Sequence, residues 1–129
     1  MRRLTLSEKQ WIFSFLFVDA TFWIFIAQSC MTNTVGCFES SNFGIFFFYA
    51  PFWLLASTIP DISVIHYPLS TIVGAFAGIL GHMFLGFGIG HFLGKEPVQW
   101  RVSLPIALAI VLIIIVASFG TATNMSIFN

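Results

Sequence analysis

Four long runs of apolar residues constrain this chain more than any other feature. They cover residues 11–28, 43–59, 69–93 and 102–119; the first contains one Asp, Glu, Lys or Arg and the other three contain none. A helix needs about 20 such residues, with a range of about 17 to 25, to cross a hydrocarbon core of about 30 Å. Each run is therefore long enough to span a membrane.

The composition and the form of these runs indicate helices in a bilayer. Charged residues make up 8% of the chain, against about 25% in soluble domains, which is too few to cover a soluble surface. The runs are continuous rather than alternating, and a spanning segment must satisfy its own backbone hydrogen bonds. The sequence predicts an all-α integral membrane protein: a single transmembrane domain over residues 1–129, with helices at about 11–28, 43–59, 69–93 and 102–119.

The basic residues give conflicting information about orientation. They form two groups, one before the first helix and one beside the third gap: Arg2, Arg3 and Lys9, then Lys95 and Arg101. Both groups favour the cytoplasm, yet four crossings place them on opposite sides. We expect four crossings with both ends cytoplasmic. The alternative is three crossings plus a re-entrant or tilted segment at 43–59, which is short and contains Pro51 near its middle.

Both cysteines, Cys30 and Cys37, lie in the first gap, which contains no basic residue and is therefore expected to face outward. Two alternatives stay open: a disulfide that closes a small loop, or two unpaired thiols near the interface. The spacing of the cysteines, with no nearby histidine, is poor for a metal site. We therefore predict no metal at this position.

The third run is rich in glycine, and a helical wheel sorts the glycines of this region into two strips. The first strip contains Gly74, Gly78, Gly81 and Gly88, and the second contains Gly86, Gly90 and Gly94. Both strips contain small-xxx-small spacing, which allows helix backbones to approach closely in a membrane. The sequence therefore predicts a helix that is packed on two sides.

Two polar residues lie at mid-membrane depth, Asp19 in the first run and His82 in the third. A charged residue there costs about 2.5 to 3.5 kcal/mol on insertion scales and tends to find a partner inside the bundle. The matched depth allows Asp19 and His82 to pair, although the sequence does not show that their helices are neighbours. The alternative for Asp19 is a buried acid that is kept neutral and hydrogen-bonded locally. His91, close to Gly94, is expected to be an interfacial histidine.

The first helix has a second polar face. A stripe roughly opposite Asp19 contains Gln10, Ser14, Thr21 and Gln28. This stripe predicts either that the helix is central in the bundle or that one of its faces meets another chain.

These observations favour two functions and disfavour others. The chain has none of the zinc-protease, nucleophile-elbow or paired-aspartate patterns, so we expect no enzyme, no cofactor and no catalytic residue. A formal net charge of +0 gives no reason to expect nucleic acid. We expect a multi-pass protein in a lipid bilayer that acts as a subunit or accessory of a larger membrane complex, or with copies of itself. The alternative is a minimal ion- or proton-coupled transporter or channel that uses Asp19 and His82.

Overall fold

The computed structural model describes residues 2–32, 44–45, 48–49, 51–52, 69–94 and 96–128, and these residues contain helices and no strand. Helix α1 is Leu6–Thr32, α2 is Leu69–Phe92 and α3 is Trp100–Phe128. Each helix contains a stretch that is long and apolar enough to cross a membrane: Leu6–Thr32, Ile72–Phe92 and Trp100–Ser118. The prediction of an all-helical chain with long apolar helices is confirmed for these residues.

The prediction of four helices is not confirmed. Within residues 43–59 the structure describes six residues, which we call the 44–52 group: Gly44, Ile45, Phe48, Tyr49, Pro51 and Phe52. The Tyr49 amide donates to the Ile45 carbonyl at 3.1 Å, and the Phe52 amide donates to the Tyr49 carbonyl at 3.1 Å. These bonds are local helical turns, and the rest of the predicted second helix lies outside the described residues.

Helix α1 begins several residues before its apolar run because a capping box starts it. The Glu8 amide donates to Thr5 Oγ1 at 3.2 Å, and the Thr5 amide donates to Glu8 Oε2 at 2.8 Å. This reciprocal pair satisfies two amides that have no partner within the helix. Helix α2 ends at Phe92, two residues before Gly94, whose φ of +91° is a left-handed conformation that glycine adopts without steric cost.

Helix α1 is the central helix of the bundle, and α2 and α3 pack on it from different sides. Near the start of α1, the Ser7 hydroxyl donates to the Gly90 carbonyl, close to the end of α2, at 3.1 Å. Ser14 Oγ lies 3.0 Å from Ser103 Oγ, close to the start of α3. Therefore α2 is antiparallel to α1 and α3 is parallel to it. The start of α1, the end of α2 and the start of α3 share one end of the bundle.

The core between α1 and α3 is apolar and small. Its buried residues are Trp11, Phe15, Val18, Ala107 and Val111. Ala107 is fully buried whereas Ala109, two residues further on, is exposed. Helix α3 therefore faces α1 with one narrow stripe.

Helices α1 and α2 make their closest approach at two glycines of α2. A Cβ atom on Gly86 would lie 2.8 Å from the Ile12 Cα atom, and one on Gly90 would lie 2.6 Å from the Glu8 Cα atom. Because backbone atoms cannot move aside as a flexible side chain can, only glycine fits at this crossing.

The other glycines of the two predicted strips have different surroundings. A Cβ atom on Gly78 would overlap the ring of Tyr49, and one on Gly81 would overlap the ring of Phe52, so these two glycines make room for aromatic rings. Gly74 is buried. A Cβ atom on Gly88 or Gly94 would meet no other atom within 4 Å. Neither strip is a single contact surface.

The described basic side chains all lie at the end of the bundle where α1 begins. Arg2, Arg3 and Lys9 are exposed at the start of α1, and Arg101 is exposed at the start of α3. Lys95 lies outside the described residues. The opposite end, where α1 ends and α2 begins, has no basic residue in the described part of α1 after Lys9 or at the start of α2.

Candidate intramembrane site at Asp19 and His82

The structure brings Asp19 and His82 together in the middle of the α1–α2 interface. Asp19 Oδ1 lies 2.7 Å from His82 Nδ1, and the two residues are 3% and 1% exposed. The antiparallel packing sets both side chains at the same depth, and the close approach at Gly86 and Gly90 draws the two helices together. At this distance the two atoms share a hydrogen bond.

A tyrosine and a tryptophan extend this pair into a chain of hydrogen bonds. The Tyr49 hydroxyl donates to Asp19 Oδ1 at 3.2 Å, and the Trp23 indole Nε1–H donates to the Tyr49 oxygen at 3.0 Å. Asp19 Oδ1 is therefore hydrogen-bonded to both His82 and Tyr49. The second carboxylate oxygen, Oδ2, is buried and has no hydrogen-bond partner among the described residues.

Sequence reasoning did not identify Trp23 or Tyr49 as members of this site. Trp23 follows Asp19 by four residues, and such residues share one face of a helix. This spacing could have predicted that Trp23 lies on the same face as Asp19. Tyr49 is 30 residues from Asp19 in the chain. No local pattern links two positions so far apart.

Aromatic rings enclose His82 on several sides. The ring centroids of Phe15, Phe48, Tyr49 and Phe52 lie 6.1, 5.7, 5.7 and 5.3 Å from that of His82. Phe48 and Phe52 both meet the imidazole edge-on, at interplanar angles of 87°. An apolar shell of this kind strengthens the Asp19–His82 hydrogen bond because little solvent competes for it.

The pair consists of a carboxyl group and an imidazole. Asp19 and His82 are two ionisable groups in contact, and each can exist in two protonation states. Within the ranges that the structure describes, no three His, Cys, Asp or Glu residues lie close enough together to hold a metal ion.

The second polar face of α1 is divided between α3 and the outside of the bundle. Gln10 and Ser14 are buried, and the Gln10 amide nitrogen lies 3.5 Å from Ser103 Oγ. Thr21 and Gln28 are exposed, and the Thr21 hydroxyl donates to a carbonyl of its own helix at 2.9 Å. Among the described helices, α1 contacts both α2 and α3, and the part of the stripe with Thr21 and Gln28 faces away from them.

His91 does not share a site with His82. Its side chain is 52% exposed, and its Nδ1 atom lies 3.1 Å from Glu8 Oε1 at the basic end of the bundle. Its ring stacks on Phe87, with centroids 5.9 Å apart. Glu8 also meets Arg2 at 3.4 Å. These contacts join the start of α1 to the end of α2.

Cys30 lies in the last turns of α1 and is disulfide-bonded. Cys37, the other cysteine of the sequence, lies outside the described residues.

Comparison of the chain with protein-family models, with curated proteins and with solved structures finds no match.

Proposed function

We propose that this chain is an integral membrane protein that crosses the bilayer three times, with its N-terminus in the cytoplasm. The antiparallel packing of α1 and α2 supports this topology. In an antiparallel pair, the end of α1 and the start of α2 lie on the same side of the membrane. Arg2, Arg3, Lys9 and Arg101 lie at one end of the bundle, so the two basic groups no longer conflict. Basic residues favour the cytoplasmic side. In this topology the end of α3 lies outside.

Within this topology we propose that the protein works in an assembly, as a subunit or accessory of a larger membrane complex or as a homo-oligomer. Only 17% of the apolar α3 window is buried, and the corresponding windows of α1 and α2 are 22% and 28% buried. Lipid or further helices must cover the remaining surface. Helices that bury so little against one another leave wide faces for other membrane helices.

The specific activity that the geometry supports best is proton binding by the Asp19–His82 pair, in a proton-coupled transporter or channel. The observation that carries this proposal is the 2.7 Å contact between two nearly fully buried ionisable groups. A buried ion pair is a weak stabiliser, and well-packed apolar residues can replace it with no loss of stability. Ionisable groups offer what apolar residues cannot, which is uptake and release of a proton. We do not propose an enzymatic role.

The test compares three variants in liposomes: Asp19→Asn, His82→Gln and Asp19→Leu. If the pair binds a transported proton, Asp19→Asn and His82→Gln abolish proton-dependent flux while the protein stays folded. If Asp19 is only a neutral structural acid, Asp19→Asn is nearly silent and Asp19→Leu is harmful, because asparagine reproduces much of the hydrogen bonding. Thr21→Val, at an exposed position of α1, is the control and is expected to change neither flux nor stability.

A further inference from the structure

The two oxygens of the Asp19 carboxylate have different surroundings, and we propose that Oδ2 is the atom that takes up the proton. Oδ1 accepts hydrogen bonds from His82 Nδ1 at 2.7 Å and from the Tyr49 hydroxyl at 3.2 Å. Oδ2 is buried without a partner in the described part of the chain. His82 and Tyr49 together create this difference, and Tyr49 acts as a positioning residue. The inference rests on the proposed proton-binding function and names the acceptor atom.

Protonation at Oδ2 preserves both existing hydrogen bonds. A proton on Oδ1 would lie among two donors and would displace one of them, whereas Oδ2 has an unused lone pair. In the step, an O–H bond of an incoming hydronium ion breaks, an O–H bond forms on Oδ2, and water is left. The carboxylate loses its negative charge. Oδ1 becomes the carbonyl oxygen of the neutral acid and still accepts from His82 and Tyr49.

The orientation of the Tyr49 hydroxyl is set by two contacts. Its ring lies where a Cβ atom on Gly78 would be, so the ring packs directly against α2. The Trp23 indole donates to the Tyr49 oxygen at 3.0 Å. Because a lone pair of this oxygen is occupied by Trp23, the hydroxyl hydrogen points away from Trp23 and toward Asp19.

Infrared difference spectroscopy of the protein in lipid bilayers, recorded as the pH is lowered, tests the assignment. A protonated Asp19 gives a carboxyl C=O band that is absent from Asp19→Asn. If the proton is on Oδ2, the C=O oxygen is Oδ1 and its band is lowered by two hydrogen bonds. Tyr49→Phe removes one donor and keeps the ring on Gly78, so the band shifts to higher wavenumber. Trp23→Phe keeps the hydroxyl but loses its orienting donor, and a smaller upward shift is expected.

The outcomes separate this inference from the function on which it rests. If the Asp19 band appears but neither Tyr49→Phe nor Trp23→Phe moves it upward, the assignment of Oδ2 is wrong and proton binding stands. If no band sensitive to Asp19→Asn appears at any pH at which the protein is folded, proton binding by Asp19 is itself wrong. Circular dichroism of each variant shows that it is folded, and Trp23→Phe provides the measurement if Tyr49→Phe does not fold.

Discussion

Gly90 of α2 lies directly against Glu8 of α1: a Cβ atom on Gly90 would be 2.6 Å from the Glu8 Cα atom. Four residues earlier, a Cβ atom on Gly86 would lie 2.8 Å from the Ile12 Cα atom. These two contacts set the distance between the helices that carry Asp19 and His82. The candidate site therefore depends on glycines that are separate from its own side chains.

We expect Gly90→Ala to destabilise the protein by about 1 to 3 kcal/mol, because the added methyl group meets backbone and forces the helices apart. Gly88→Ala is the matched control on the same helix, since a Cβ atom there meets nothing within 4 Å. It should be neutral or stabilising, because alanine favours a helix over glycine by about 0.8 to 1.0 kcal/mol. Unfolding in lipid bicelles measures both changes. Equal effects would show that the crossing does not depend on Gly90.

The narrow contact between α1 and α3 gives a second comparison, again on one helix. Ala107 is fully buried against the α1 core, whereas Ala109 faces outward. Ala107→Ile is expected to cost about 1 to 3 kcal/mol in the free energy of unfolding, because the added atoms must displace packed side chains of the core such as Trp11 and Phe15. Ala109→Ile should have little effect. Destabilisation by Ala109→Ile of the same size would mean that the outer face of α3 is also packed.

The Asp19–His82 pair predicts a strongly non-additive double mutant. Asp19→Leu leaves His82 buried without its partner, and His82→Leu leaves Asp19 with the Tyr49 hydroxyl alone. Each single change is expected to cost about 3 to 5 kcal/mol, whereas the double change to two leucines should recover most of that stability. A double-mutant cycle on the free energy of unfolding measures the recovery. Additive costs would show that the two side chains contribute independently and are not energetically coupled.

The topology gives a prediction that separates three crossings from four. Single cysteines at Leu4 and at Glu96, in a background without Cys30 and Cys37, should react with an impermeant reagent from the same side of the membrane. A cysteine near the end of α3, at Ser126, should react from the other side. Four crossings place Leu4 and Glu96 on opposite faces, so labelling of these two from different sides would exclude the three-crossing arrangement. A permeant reagent confirms that every cysteine can be labelled.

The sequence by itself determined the helices α1, α2 and α3 and the two polar residues at their centres. Helix formation in an apolar run is local, because each backbone amide finds its partner four residues away. Depth is also local, since it follows from position within a run. For these reasons Asp19 and His82 could be selected as a candidate pair before their contact was known. The start of α1 was predicted too late, at about residue 11 instead of Leu6, because the capping box at Thr5 and Glu8 lies before the apolar run.

Only the tertiary structure decided which helices are neighbours and which way they run. Asp19 and His82 are 63 residues apart in the chain, and Tyr49 is 30 residues from Asp19. A helical wheel gives the direction of a side chain but not what lies in that direction. It therefore grouped Gly88 with Gly78, although a Cβ atom on Gly88 would meet no neighbouring atom and Gly78 lies against the Tyr49 ring. The antiparallel arrangement of α1 and α2 has the same origin. It arises from side chains of distant segments that fit together, and no local rule describes that fit.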